Sequence, residues 1–465
     1  MDKVLTYLHA NERRFIDELK DYLRLPTISA QAEHASDMVA GARWVADHCR
    51  AMGLQAEVCP TPGHPVVLAN TPRRPGKRPR VLIYGHYDVQ PPDPLEGWES
   101  PPFEPRVVGG RLFARGASDN KGQHFAHLKA VEAYLRTGTE LPCDLTFVIE
   151  GEEEVGSAHL PEVLRRRRAE LTCDCVVISD TGMPSLKLPA LTYALRGIAA
   201  LEIKVTGPNR DLHSGIYGGS VANPAMVLSQ LLAGLVNQQG RVTVPGFYAK
   251  VKALSAFERR QMGRLPHQDA AYRRFLGSPA LFGERGYTSE ERRTARPTLE
   301  INGLTSGYQG EGSKTIVPSW ASAKLTLRLV PDQSPASIVR LMKAHLRRIC
   351  PPTVRLEVKA GHGAEPYWVS PEGPLAAAAL AALRRGFGRE PVLIREGGSI
   401  PIVVGFRKIL RAESLLLGLA LPDANAHSPN ESFHLEAFSG GMRMSAHLWA
   451  ELGQTLARRP ASSAS

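Results

Sequence analysis

The stretch Leu145-Thr-Phe-Val-Ile-Glu-Gly-Glu-Glu-Glu-Val-Gly-Ser157 decides the reading of this chain. Leu145 to Ile149 have strand composition and run directly into the acids Glu150 and Glu152 to Glu154. A small-residue turn, Gly156-Ser157, follows. Like charge gathered at the end of an apolar strand is costly unless a cation neutralises it. Taken alone, such a cluster reads more often as a solvated loop. The neighbouring segments have to decide between the two.

Upstream, Val81 to Tyr84 is a buried strand that ends in Gly85-His86-Tyr87-Asp88. The segment Arg111 to Gly122 carries Asp119 into a helix over Gln123 to Thr137, which leads to the acidic strand. Downstream, Cys175 to Ser179 is another strand, ending at Asp180. Strands alternating with helices, with polar residues at the strand C-termini, predict an α/β sheet that carries its site on that edge. Further out, Leu5 to Leu23 predicts one amphipathic helix stopped by Pro26, and Ser36 to Met52 a second. Short strands follow at Gln55–Cys59 and Val66–Ala69, and Pro161 to Leu171 predicts a helix.

Around Leu195-Arg-Gly197 the pattern changes. Leu201, Ile203 and Val205 alternate, as do Lys324 to Val330, a long helix follows Pro224, and Ser255 to Arg296 is charged and helical. This block predicts an antiparallel sheet covered by helices and inserted into the first domain. The α/β character returns with Leu375–Phe387 and an apolar strand over Ser414–Leu419.

At 465 residues the chain exceeds one ordinary core. Its 43% apolar and 22% charged residues are those of a globular protein. Met1 to Leu25 has no apolar core of a signal peptide, and no window approaches the roughly 18 apolar residues of a membrane span. The cysteines at 49, 59, 143, 173, 175 and 350 show no zinc-ribbon spacing and read as reduced thiols of a cytoplasmic protein. The formal charge of +11 comes from scattered residues. The one dense run, Arg165 to Arg168, lacks interleaved aromatics. Nucleic acid is therefore not the expected partner, and a basic background favours anionic small substrates.

Taken together, His86, Asp88, Asp119, Glu153, Glu154, Asp180 and the distant His427 are hard-to-borderline ligands that suit Zn²⁺, with Mn²⁺ or Co²⁺ as alternatives. No cysteine competes with them. In His86-x-Asp88 the carboxylate is placed to accept the other ring N–H and fix the ligand's tautomer.

Eight motifs in this order resemble the co-catalytic di-zinc metallopeptidases, the family of aminoacylase, glutamate carboxypeptidase, succinyl-diaminopimelate desuccinylase and the carnosinase and cytosolic non-specific dipeptidases. They are Gly85-His-Tyr-Asp-Val-Gln-Pro91, Gly116-Ala-Ser-Asp-Asn-Lys-Gly122, Glu150 to Ser157, Ile178-Ser-Asp180, Asp211-Leu-His-Ser-Gly215, Arg328-Leu-Val-Pro331, Arg395-Glu-Gly-Gly-Ser-Ile-Pro401 and Ala426-His-Ser428. The likeness is nearest to the dipeptidases. Ala117 departs from the family's usual larger or acidic residue and touches no proposed role.

The resemblance implies an α/β fold: a mixed-sheet zinc-peptidase catalytic domain with an inserted α+β lid and dimerisation domain. The expected limits are 1–197 and 372–457 for the catalytic parts, 198–371 for the insert, and a disordered tail over 458–465. It implies two divalent ions. His86, Asp119 and Asp180 would hold one, and Asp119, Glu154 and His427 the other, with Asp119 bridging. Asp88 would orient His86, and Glu153 would be the general base acting on a water that bridges the zincs. His213, Thr315, Arg328 and Ser399 would bind substrate, with His213 reaching the site of a second subunit in a homodimer. The implied activity is hydrolysis of dipeptides or short peptides bearing a free C-terminal carboxylate. An N-acyl-amino-acid amidohydrolase is the alternative, and a catalytically inactive metal-stabilised binding protein the remote one. Retention of Glu153 argues against the last.

Overall fold

The computed structural model describes residues 1–73, 75–76, 78–265, 269–398 and 400–457. The expected disordered tail and Ser399 lie outside the described residues. The chain divides into two compact units. One comprises Met1–Tyr193, Val369–Ile394 and the segment from Pro401 onward; the other comprises Ala194–Trp368 and Arg395–Ile400. The short piece 395–400 groups with the second unit because Arg395 pairs with Glu258 and Arg196 Nε donates to Gly397 O.

The first unit is built on a mixed sheet. Seven of its nine strands run in the order Gln55–Cys59, Val66–Asn70, Asp144–Glu150, Arg80–His86, Cys175–Ile178, Glu413–Leu416 and Ala190–Leu195. The central four are parallel, with His86 opposite Glu150, Tyr84 opposite Ile178 and Ile178 opposite Leu416. Their C-terminal ends therefore lie along one edge. These strands read as continuous apolar runs because both faces are covered. Leu145, Phe147, Val148 and Ile149 are all buried. Trimming Phe147 to alanine would cost about 3–5 kcal/mol.

The helix Lys121–Arg136, almost wholly buried, packs against Arg80–His86 and against the C-terminal helix Leu435–Ala457. A Cβ on Gly85 would stand 2.6 Å from His124 Cβ, so strand and helix touch one residue before His86. Pro374–Phe387 packs closely on Leu435–Ala457, where a Cβ on Gly386 would meet the Met444 backbone at 2.5 Å. The buried Lys129 is neutralised by Glu18 at 2.5 Å and Glu132 at 2.9 Å, which ties the N-terminal helices to this core.

Two helix expectations are corrected. The first amphipathic segment is broken into Asp2–Ala10 and Glu12–Leu23. At the break, Asn11 Nδ2 donates to Tyr7 O and competes with the helical ladder. The span 161–171 splits into Leu160–Arg166 and Arg168–Leu171 at Arg167, whose guanidinium reaches out to Glu57 and Glu170.

The second unit is a four-stranded antiparallel sheet in the order Thr298–Ser306, Trp320–Leu329, Gly197–Thr206, Arg355–Ala364. The alternation read from the sequence is the burial pattern: Leu201, Ile203, Val205, Leu325 and Leu327 face a core shared with Leu228, Leu231, Met342 and Leu346. Those last four come from the helices Pro224–Ala233 and Pro335–Ile349. Each helix starts with proline at its first position, and Asn223 caps the former by accepting the Ala225 N–H. The charged span 255–296 forms the separate helices Ala256–Gly263, Asp269–Phe275 and Ser289–Ala295. No described helix is long and apolar enough to cross a membrane.

Candidate active site

Three strand ends and two loops of the first unit bring seven predicted residues together. His86 ends one central strand, Glu153 and Glu154 form a short 3-10 turn after Glu150, and Asp180 follows Ile178. Asp119 lies just before the buried helix, and His427 stands on an exposed loop with φ +61°. His86 Nε2 is 3.3 Å from Asp119 Oδ1 and 3.6 Å from Asp180 Oδ1. His427 Nε2 is 2.9 Å from Asp119 Oδ2 and 3.3 Å from Glu154 Oε2.

The electrostatics follow from this crowding. Burial raises Glu153 well above the usual carboxylate range, and the acids Asp180, Glu154 and Asp119 add to it while His86 opposes. Burial also raises Glu154, although His427 pulls it back. Burial would raise Asp119 as well, yet His427 and His86 pull it below its ordinary value. His427 is pushed up to about 10 by Asp119 and Glu154.

The residues fit a pair of divalent cations. Among the described residues, only His86–Asp119–Asp180 and Asp119–Glu154–His427 gather three ligand atoms within 4.8 Å of one another. His86 Nε2 is buried without a hydrogen-bond partner, the state of a ring nitrogen shaped for a metal. Its other nitrogen, Nδ1, faces the Asp88 backbone oxygen at 3.0 Å and the Asp88 carboxylate at 3.4 Å. The donor set is nitrogen and oxygen throughout, which suits Zn²⁺, Mn²⁺ or Co²⁺.

The Asp88 carboxylate does more than face His86. Its oxygens accept the backbone N–H groups of Glu153 at 3.3 Å and Glu154 at 3.1 Å, fixing the turn that presents both glutamates. Sequence reasoning missed this, and it missed three other partners. Gln90 Nε2 donates to Glu154 Oε2 at 3.0 Å. Asn120 accepts the His86 N–H at 3.1 Å and donates to Ser179 O, joining two ligand-bearing strand ends. Glu431 accepts the N–H of Asp119 at 3.0 Å. Gln90 and Asn120 lie inside quoted motifs, so their position was a signal. Glu431 lies four residues past His427 and carried none.

Within the second unit, His213 and Thr315 are neighbours. The strand pair sets His213 opposite Ile316, and Ser214 N donates to Thr315 O. His213 is exposed, and its Nδ1 accepts the Gly215 N–H at 3.0 Å. In a neutral ring that leaves Nε2–H as a donor. Arg328 lies on Trp320–Leu329, one of the two central strands, half-buried and out of the alternation that fills the core.

Carboxylates and imidazoles converging on two cation positions at the C-terminal edge of an α/β sheet define a metallohydrolase centre. The chain belongs to the peptidase family M20/M25/M40, whose pattern matches residues 82–451, and it is a metallopeptidase-type hydrolase. It is 31% identical over 461 residues to the Cys-Gly metallodipeptidase dug1 of Schizosaccharomyces pombe, covering 96% of each chain. It is 30% identical to the Beta-Ala-His dipeptidase of Homo sapiens, covering 98% of this chain and 93% of that one. Its fold superposes with a TM-score of 0.83 on the M20 family metallo-carboxypeptidase Sso-CP2 from Sulfolobus solfataricus, at 30% identity over 95% of this chain and 99% of that one.

Proposed function

We propose that this chain hydrolyses dipeptides or short peptides carrying a free C-terminal carboxylate, with two divalent ions, zinc first, as resident cofactors. The observation that carries the reading is the convergence of two three-residue ligand groups on the shared Asp119, with Glu153 in the same cluster of charges. Relatives whose names specify Cys-Gly and β-Ala-His dipeptides support the substrate class.

His86, Asp119 and Asp180 would hold one ion, and Asp119, Glu154 and His427 the other. Such ions supply Lewis acidity toward the scissile carbonyl and make a nucleophile available at neutral pH. Glu153 is the general base. Its carboxylate takes the proton of the attacking water and passes it to the leaving amine nitrogen. Asp88 holds the Glu153 N–H, so the base enters each turnover at a fixed position. Bound cations would offset the charge of Asp180, Glu154 and Asp119 around Glu153, which keeps its carboxylate ionised and able to accept a proton.

Arg328 would clamp the substrate carboxylate. His213 of the partner subunit, with Nε2–H as donor, would stabilise the developing oxyanion, with Thr315 and Ser399 contributing to binding. On this reading the first unit is catalytic, the second serves as lid and dimerisation domain, and the protein is a cytoplasmic homodimer. Six free cysteines accord with a reducing compartment.

The test is a turnover screen of the zinc- and manganese-loaded protein against a dipeptide library and against N-acetyl, N-succinyl and N-carbamoyl amino acids. Dipeptide cleavage is expected. Activity confined to the acylated amino acids would move the assignment to an amidohydrolase, and no turnover at all would sink it.

A further inference from the structure

We propose that Glu431 is a positioning residue that locks the Asp119 loop and the His427 loop into one register, and thereby sets the affinity of the cation position they share. The inference rests on the two-ion reading of the site.

The Glu431 side chain is fully buried and gathers five donors. Oε1 accepts the Ser118 N–H at 2.8 Å, the Asp119 N–H at 3.0 Å and the Ser118 hydroxyl at 3.1 Å. Oε2 accepts the Gly116 N–H at 2.8 Å and Arg115 Nη1 at 2.9 Å. Successive N–H groups can converge on one carboxylate because Gly116 turns with φ +85°, where an added Cβ would also strike Val89 at 2.6 Å.

At its other end Glu431 is covalently part of the His427 loop. That loop holds Asn425, His427 and Asn430 in the left-handed region, each a conformation that must be held by its surroundings. The Glu431 carbonyl accepts the Ala114 N–H at 3.1 Å, and Ser432 then pairs with Phe113. One residue thus bonds the backbone of ligand Asp119 and anchors the loop of ligand His427. The Asp119–Glu154–His427 group depends on both loops, whereas His86–Asp119–Asp180 depends on one.

A merely structural role would weaken both cation positions alike or neither. The wild-type chain, stripped with a chelator, is titrated with zinc against a competing chromophoric chelator. Fewer than two ions per chain there would sink the site reading and this inference with it. Glu431→Gln is then placed in a His86→Ala background, which leaves the Asp119–Glu154–His427 group, and in a His427→Ala background, which leaves the other. With folding checked by circular dichroism, zinc affinity should fall about ten- to a hundredfold in the first background and less than about threefold in the second. Equal losses, or none, would overturn the proposal. If Glu431→Gln does not fold, Ser118→Ala removes one donor and keeps the charge. A loss of several-fold confined to the first background is then expected, and its absence overturns the proposal.

Discussion

His427 Nε2 stands 2.9 Å from Asp119 Oδ2, a contact between two loops far apart in the sequence. The chain must close both ends around the sheet edge before this pair exists. His427 reaches it from an exposed loop in a left-handed conformation, so the pair reports whether the whole site is assembled.

Glu153 and Glu154 are adjacent, yet the geometry gives them different work. Glu154 Oε2 faces His427 and Gln90, while Glu153 belongs to neither ligand group. Glu153→Gln keeps size and loses basicity, so turnover should fall by roughly 10²–10⁴ with metal content unchanged. Glu154→Gln should lose metal. Elemental analysis beside a kinetic assay checks both, and reversed behaviour would shift the assignment by one residue.

Asp88 serves both glutamates through their N–H groups and also faces His86. Asparagine at 88 presents one acceptor and one donor where two acceptors are needed, so an amide would confront an N–H. Asp88→Asn should lower kcat or metal affinity by about ten- to a hundredfold. Unchanged kinetics and unchanged zinc titration would remove Asp88 from the machinery.

If His213 acts on the partner's site, neither His213→Ala nor Glu153→Ala homodimers should turn over well. Random mixing should restore roughly a quarter of wild-type activity, because half the dimers are mixed and each has one complete site. Mixed-tag pulldown first establishes that chains exchange. Confirmed exchange without recovery would confine His213 to its own chain or to no role.

His127 is buried between Ser179 and Ser445, and burial lowers it to about 3. Its folded form stays neutral where the unfolded form, with an ordinary pKa near 6.5, takes up a proton. Stability is therefore intact at pH 7 and falls as pH drops below about 6.5. At pH 5 this group should cost about 2 kcal/mol. Unfolding of chelator-stripped wild type and His127→Asn at both pH values isolates the term. The advantage of wild type should shrink by that amount at pH 5, and a constant gap would contradict it.

The sheet of the first unit was legible because apolar runs ended in polar residues, and that of the second because Leu201, Ile203 and Val205 alternate. The metal ligands were legible because His, Asp and Glu at strand ends have few bland roles in combination. Glu431 was not, since an acid near His427 acquires meaning only when five donors fold around it. The breaks at Asn11 and Arg167 were hidden for the same reason. A side chain's competing hydrogen bond or distant ion pair leaves no periodic trace.

The most direct test is dipeptide turnover measured as zinc is added back to the stripped protein, plotted against zinc bound per chain. Activity should develop with the second equivalent and level at two, because Asp119 joins both groups. Full activity at one equivalent, or hydrolysis by the stripped protein, would contradict it.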